Sequence, residues 1–170
     1  EIKDVMAYLR LVINPEDDNA FLRIVNTPKR EIGPSTLEKL GSYAQQRECA
    51  MLLACDELGL GLHVGDRALN RLQEFSAWIA STAREIIDGN EPLNAIKQML
   101  SDIDYNDYLL EQSATPQAAE RRMESVNSFL ASVQRLWEKA EDEEDRDIEA
   151  VIRKLVLLDL LEQQAEEDDS

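Results

Sequence analysis

Apolar residues recur three and four positions apart along almost the whole chain, and no stretch alternates with the period of two that a half-buried strand requires. The pattern predicts an all-α, compact multi-helix domain of about eight or nine helices. A first helix buries Ile2, Val5, Met6, Leu9 and Ile13 and stops at Asn14-Pro15, where Asn14 is expected to cap the next helix with Pro15 as its first residue. That second helix carries Phe21, Ile24 and Val25. A third is expected near Pro34, because Ser35 and Glu38 have the spacing of a capping box, and it packs Leu37, Leu40 and Ala44. A short fourth helix holds Met51, Leu52 and Cys55, and a loop from Gly59 to Gly65 follows.

The first long helix sets Leu69, Leu72, Phe75, Ile79, Ala83 and Ile86 on one stripe and is closed by Gly89-Asn90. Two shorter ones follow, one from Pro92 with Leu93, Ile96, Met99 and Leu100 inward, the other around Tyr105 to Leu110. Thr115-Pro116, a capping side chain before a proline, opens the clearest helix, with Ala119, Met123, Val126, Leu130, Val133 and Trp137 inward. Glu141 to Asp147 has no apolar residue and is expected to be a solvated loop. The last helix turns Ile148, Val151, Ile152, Leu155 and Leu158 inward, and residues 162–170 are expected to fray into an acidic tail or linker. No internal repeat and no second domain is evident, so residues 1–170 are expected to form a single unit.

With 170 residues, 44% of them hydrophobic, the chain is long enough for one core, and its five prolines and six glycines exclude collagen-like and low-complexity classes. No apolar run approaches the roughly 20 residues that span a bilayer, and Glu1 to Lys3 do not open a signal peptide. No membrane partner is therefore expected, and the reading is cytoplasmic. The chain begins at Glu1, inside what reads as a helix, so it is expected to be a piece of something longer.

Formal charge is -17, which taken whole argues against a generic nucleic-acid binder. The distribution changes that picture. Fourteen acidic and four basic residues fall between Glu138 and Ser170, whereas between Phe21 and Arg47 the sign reverses to +3, with Arg23, Lys29, Arg30, Lys39 and Arg47 against Glu31 and Glu38. Cys49 and Cys55 have no other cysteine to pair with and read as reduced core thiols.

Enzyme chemistry is not legible. The single histidine, His63, lies among Gly59, Gly61 and Gly65, a connector that no strand precedes and no Gly-Lys-Ser/Thr follows, so neither a nucleophile triad nor a phosphate loop is supported. Asp102, Asp104 and Asn106 imitate the opening of a calcium loop, but Asp107 and Ser113 stand where glycine and a bidentate glutamate are needed, leaving helix-start and capping roles. Two cysteines and one histidine do not assemble a zinc site. No cofactor is expected in this piece.

One segment does carry function. The run from Phe21 through Asn26-Thr27-Pro28-Lys29-Arg30-Glu31-Ile32-Gly33-Pro34-Ser35-Thr36-Leu37 resembles a segment of the accessory 2B subdomain of superfamily 1 DNA helicases of the UvrD/Rep type. The opening Glu1 to Arg10, the stretch Ser113 to Asn127, and Leu157 to Glu162 with its acidic sequel support that likeness in the same order. The resemblance implies a bacterial ATP-dependent helicase moving 3′ to 5′, in which this domain is an insertion in the second motor domain. It swivels on its connections and touches duplex or junction DNA. ATP and Mg²⁺ would belong to the remaining motor domains of the parent chain, its expected partners together with DNA, and this piece would not itself be an enzyme.

The residues make physical sense of the DNA contact. Thr27, Pro28, Lys29, Arg30, Ile32, Gly33, Ser35 and Thr36 form a helix-hairpin-helix-like bend in which Ile32 anchors the turn and Gly33 lets the backbone pass closely. Free N–H groups and the Ser35 and Thr36 hydroxyls receive a phosphate, with charge from Lys29 and Arg30. Such contacts hold any sequence. Relatives commonly have glycine where this chain has Glu31, which adds a negative charge beside the expected phosphate. An alternative reading is an acidic helical protein-interaction module without DNA contact, centred on Glu141 to Asp147. A small hydrolase built on His63 is the enzyme-class rival.

Overall fold

The computed structural model describes residues 1–140 and 147–169. In order come α1 (Ile2–Ile13), α2 (Asp18–Ile24), α3 (Pro34–Gln46), α4 (Met51–Ala54), a 3₁₀ turn (Leu58–Leu62), α5 (Asp66–Ile87), α6 (Pro92–Asp102), α7 (Tyr105–Gln112), α8 (Pro116–Lys139) and α9 (Ile148–Asp168). Among the described residues there is no strand, and the all-α expectation holds. No described helix is long and apolar enough to cross a membrane.

The architecture is organised around α1, which packs against α2, α5, α8 and α9. Tyr8, Ala7, Leu11 and Val12 are buried along with the expected Val5, Met6 and Leu9, while Ile2 and Ile13 are only half-buried. Tyr105 on α7 ties the start of this helix down, its hydroxyl donating to the Glu1 carbonyl at 3.1 Å and the Asp4 carboxylate at 3.3 Å. Around this axis α5 pairs with α6, α7 with α8, and α8 with α9.

Several local expectations need correction. Asn14 does not cap α2; its carboxamide oxygen accepts from Glu16 N–H in a turn, and the cap is Asp17, which accepts from Ala20 N–H at 3.0 Å and is fixed by Arg10. Ser35 and Glu38 make no capping box: the N-cap is Gly33, Pro34 is the first helical residue, and no side chain closes that end. Most of the Gly59 to Gly65 connector is the 3₁₀ turn, with Leu60 buried and Leu58 and Leu62 almost wholly exposed. Asp104 precedes α7 without a side-chain cap, and Asp102 instead accepts from Trp78 and Gln98. Thr115 does cap α8, accepting from Ala118 N–H at 3.1 Å.

At the C-terminal end, residues 162–168 are helical rather than frayed, and Leu158 faces outward. The predicted solvated loop lies outside the described residues except for Asp147, which caps α9 through Glu149 N–H. Both cysteines are free: Cys55 is buried, which pushes its thiol up to about 12, and half-buried Cys49 donates to Glu57.

Candidate nucleic-acid interface

The bend between α2 and α3 is built from its inside. Asn26 ties it across, its side-chain nitrogen donating to the Ile32 carbonyl at 2.6 Å and its oxygen accepting from the N–H groups of Arg30 and Ile32. Ile32 is buried as expected. The Thr27-Pro28 peptide is cis, and the Thr27 hydroxyl donates to the Arg23 carbonyl at 3.0 Å. Tyr8, projecting from α1, donates to the Thr27 carbonyl at 2.5 Å. Burial pushes the Tyr8 hydroxyl above its ordinary pKa, so it remains the donor.

Arg30, expected on the phosphate face, points inward. Its guanidinium donates to the carbonyls of Ile24 at 2.7 Å, Val25 at 3.2 Å and Pro28 at 3.5 Å, and to the Tyr8 hydroxyl at 2.6 Å. Its carbon centre lies 4.6 Å from the Phe75 ring centroid and 5.7 Å from those of Tyr8 and Trp78. The carbonyls at the end of a helix lack intrahelical partners, and a cation satisfies them while complementing the helix dipole. Arg30 is therefore occupied as the clamp of the bend.

Glu31 sits at φ 59, a conformation glycine adopts at less cost. Its carboxylate is held by Arg71 of α5 at 2.8 Å, and the same guanidinium donates to the Glu31 carbonyl at 3.2 Å. The extra negative charge is thus countered within the chain. Gly33 has an ordinary φ of -72, and a Cβ there would meet nothing within 4 Å. Among the described residues no neighbour requires the glycine.

Of the five basic residues between Phe21 and Arg47, Arg23 pairs with Asp4 and Arg47 with Glu57, while Arg30 is clamped. Glu57 also accepts from Tyr43, and Arg47 together with Tyr43 holds its carboxyl below the usual carboxylate range. Lys29 is exposed and has no ion-pair partner among the described residues. Farther along the same bend α3 starts uncapped: the first helical bond is Leu37 N–H to the Gly33 carbonyl at 3.1 Å, so the amides of Ser35 and Thr36 have no acceptor in the described chain. Ser35 is exposed and Thr36 half-buried.

A second bend of the same construction escaped the sequence reading. Val64 is buried, Gly65 is the N-cap of α5 with φ -68 and open space around it, and no side chain closes the helix. Leu69 N–H to the Gly65 carbonyl is its first helical bond, which leaves the amides of Asp66, Arg67 and Ala68 without a partner there. The signal was present: Ile32-Gly33 and Val64-Gly65 are each a buried β-branched residue and a glycine leading into a helix. His63 is exposed, with its ring 5.3 Å from that of Tyr43. Among the described residues, no group of three or more potential metal ligands is assembled.

Comparison with known proteins agrees with the likeness to UvrD/Rep-type helicases seen in the sequence. The family described as UvrD-like helicase C-terminal domain matches residues 1–170. The chain is 40% identical to ATP-dependent DNA helicase Rep of Escherichia coli over 99% of its own length and 25% of that protein's. It is 33% identical to ATP-dependent DNA helicase PcrA of Bacillus subtilis, covering 98% of the chain and 22% of the relative. With DNA helicase II of Rickettsia typhi it shares 33% identity over 78% of the chain and 20% of that relative. The chain thus spans about a quarter of the length of the first of these relatives.

Proposed function

The chain belongs to the family of UvrD-like helicase C-terminal domains, and from that premise we propose that it is the accessory 2B subdomain of a bacterial, cytoplasmic, ATP-dependent 3′–5′ DNA helicase. Its task is to hold the phosphate rail of duplex or junction DNA without reading bases, and to swivel relative to the motor. ATP and Mg²⁺ chemistry belongs to the remaining motor domains, which are its partners in the parent chain. The observation that carries this reading is the uncapped start of α3, where the Ser35 and Thr36 amides have no acceptor, in the same bend as exposed Lys29. Unpaired amides, a helix dipole and an exposed cation in the same bend together favour a phosphate oxygen.

Within the bend the roles divide. Lys29, Ser35 and Thr36 face the DNA, Gly33 leaves room for the rail, and Thr27, Pro28, Arg30 and Ile32 give the turn its shape. The Gly65 bend supplies a second set of amides. Few cations on an acidic body give weak binding alone, on the order of the 10⁻⁴ M of non-specific contacts, and attachment to a motor already on DNA raises the effective concentration. Lys29→Ala is expected to weaken duplex binding equally for all sequences and to lower the slope of log K against log salt by about 0.9. Fluorescence anisotropy over a salt series measures this; an unchanged affinity and slope would remove Lys29 from the interface.

A further inference from the structure

The apolar side of α9 changes face partway along the helix. Ile148, Val151, Ile152 and Leu155, spaced i, i+3, i+4 and i+7, form the inner stripe, the first three buried and Leu155 half-buried. At 3.6 residues per turn, Leu157, Leu160 and Leu161 form an i, i+3, i+4 stripe on the opposite side, exposed by 57%, 48% and 52%, with Leu158 at its edge. The inner line continues instead as Asp159, Glu162 and Glu166. A helix that merely ran past the body into water would become polar all round. This one becomes acidic along the line of its inner stripe and apolar on the opposite line, the pattern of a helix whose far half meets a second body.

Size and charge identify the second body. A stripe of three or four half-exposed leucines offers far less than the roughly 800 Å² per partner of a stable complex between free proteins. Two copies of a chain with formal charge -17 also repel one another. A small contact suffices where the partner is tethered and its effective concentration reaches millimolar values. Every charge from Asp159 to Asp169 is acidic, so a fitting groove has a basic rim. Resting on the reading of the chain as part of a helicase, we infer that the outer leucine stripe of α9 docks into an apolar, basic-rimmed groove on the remaining polypeptide of that parent. This contact ties the accessory body to the motor.

The test compares backbone hydrogen exchange over residues 156–165 in the isolated chain and in the full-length parent, each with and without Leu157→Ser and Leu161→Ser. Exchange at least about tenfold slower in the parent, with that protection abolished by the double substitution and the isolated chain's Tm unchanged, is the expected result. Equal exchange in both settings would overturn the proposal, as would dimerisation of the isolated chain that the double substitution abolishes in sedimentation. Lys29-dependent duplex binding is read on the same samples. Its loss with protection intact counts only against the DNA contact, and its persistence without protection counts only against the docking.

Discussion

Arg30→Ala lowers the stability of the chain by about 3 kcal/mol, a fall in Tm of roughly 9 °C for a domain of this size, although its neighbour Lys29 can be replaced at a cost below about 0.5 kcal/mol. The difference follows from where the two cations point. Removing the guanidinium takes a charged donor from the carbonyls of Ile24, Val25 and Pro28 and from the Tyr8 hydroxyl, leaving the Ile24 carbonyl with the Thr27 N–H at 3.0 Å. It also empties the space over Phe75. Charged donors to carbonyls are among the stronger hydrogen bonds, and an acceptor left unmet costs its desolvation. Lysine is no substitute, because one ammonium cannot reach carbonyls and a hydroxyl in a planar fork. Urea unfolding of the two single variants measures the contrast; equal midpoints would show that Arg30 is not a clamp.

Phe75→Ala has the larger effect, about 4 kcal/mol. The ring is 3% exposed, meets Phe21 edge-on with centroids 5.8 Å apart, and carries the Arg30 guanidinium at 4.6 Å. Truncation leaves a cavity between α2 and α5 and removes the platform on which the clamp rests. Phe75→Leu refills most of the volume and is expected to cost about 1.5 kcal/mol, chiefly the ring's contribution to holding the cation. Because Arg30 and Phe75 act on each other, the double variant Arg30→Ala/Phe75→Ala falls short of additivity by about 1 kcal/mol. Additive losses in denaturant titrations would mean that ring and cation stabilise the bend independently.

These effects explain which parts of the molecule were legible in the sequence. The α8 helix was, because Thr115-Pro116 marks its start locally and its apolar residues keep one face from Ala119 to Val133. The α1 helix was legible as a helix but not as the centre, since only tertiary packing sets α2, α5, α8 and α9 around it. Arg30 looked like a surface cation because its partners are remote in sequence: Tyr8 lies 22 positions before it, and Phe75 and Trp78 lie on another helix. Only tertiary packing brings three rings and a helix end around one guanidinium.

The same reasoning applies to the bends. Ser35 and Glu38 have capping-box spacing, yet Pro34 takes the first helical position and sets the start ahead of Ser35, which lies inside the first turn, so location and mechanism separated. The pairing of Glu31 with Arg71 across 40 positions was invisible, while the likeness of Val64-Gly65 to Ile32-Gly33 was open to view. In α9 Leu158 was read as a continuation of the core stripe, while the i, i+3, i+4 spacing of Leu157, Leu160 and Leu161 already places those three on the other side.

The central claim is that the start of α3 holds a phosphate of duplex DNA. Its most direct test follows backbone amide resonances of the chain as blunt duplex of mixed sequence is added at low salt, to roughly 1 mM. The expected result is that the largest shifts fall on Ser35 and Thr36, diminish in Lys29→Ala, reverse when salt is raised, and are the same for a second duplex of unrelated sequence. Shifts confined to other helices, or none at Ser35 and Thr36 when DNA is in excess, would contradict it.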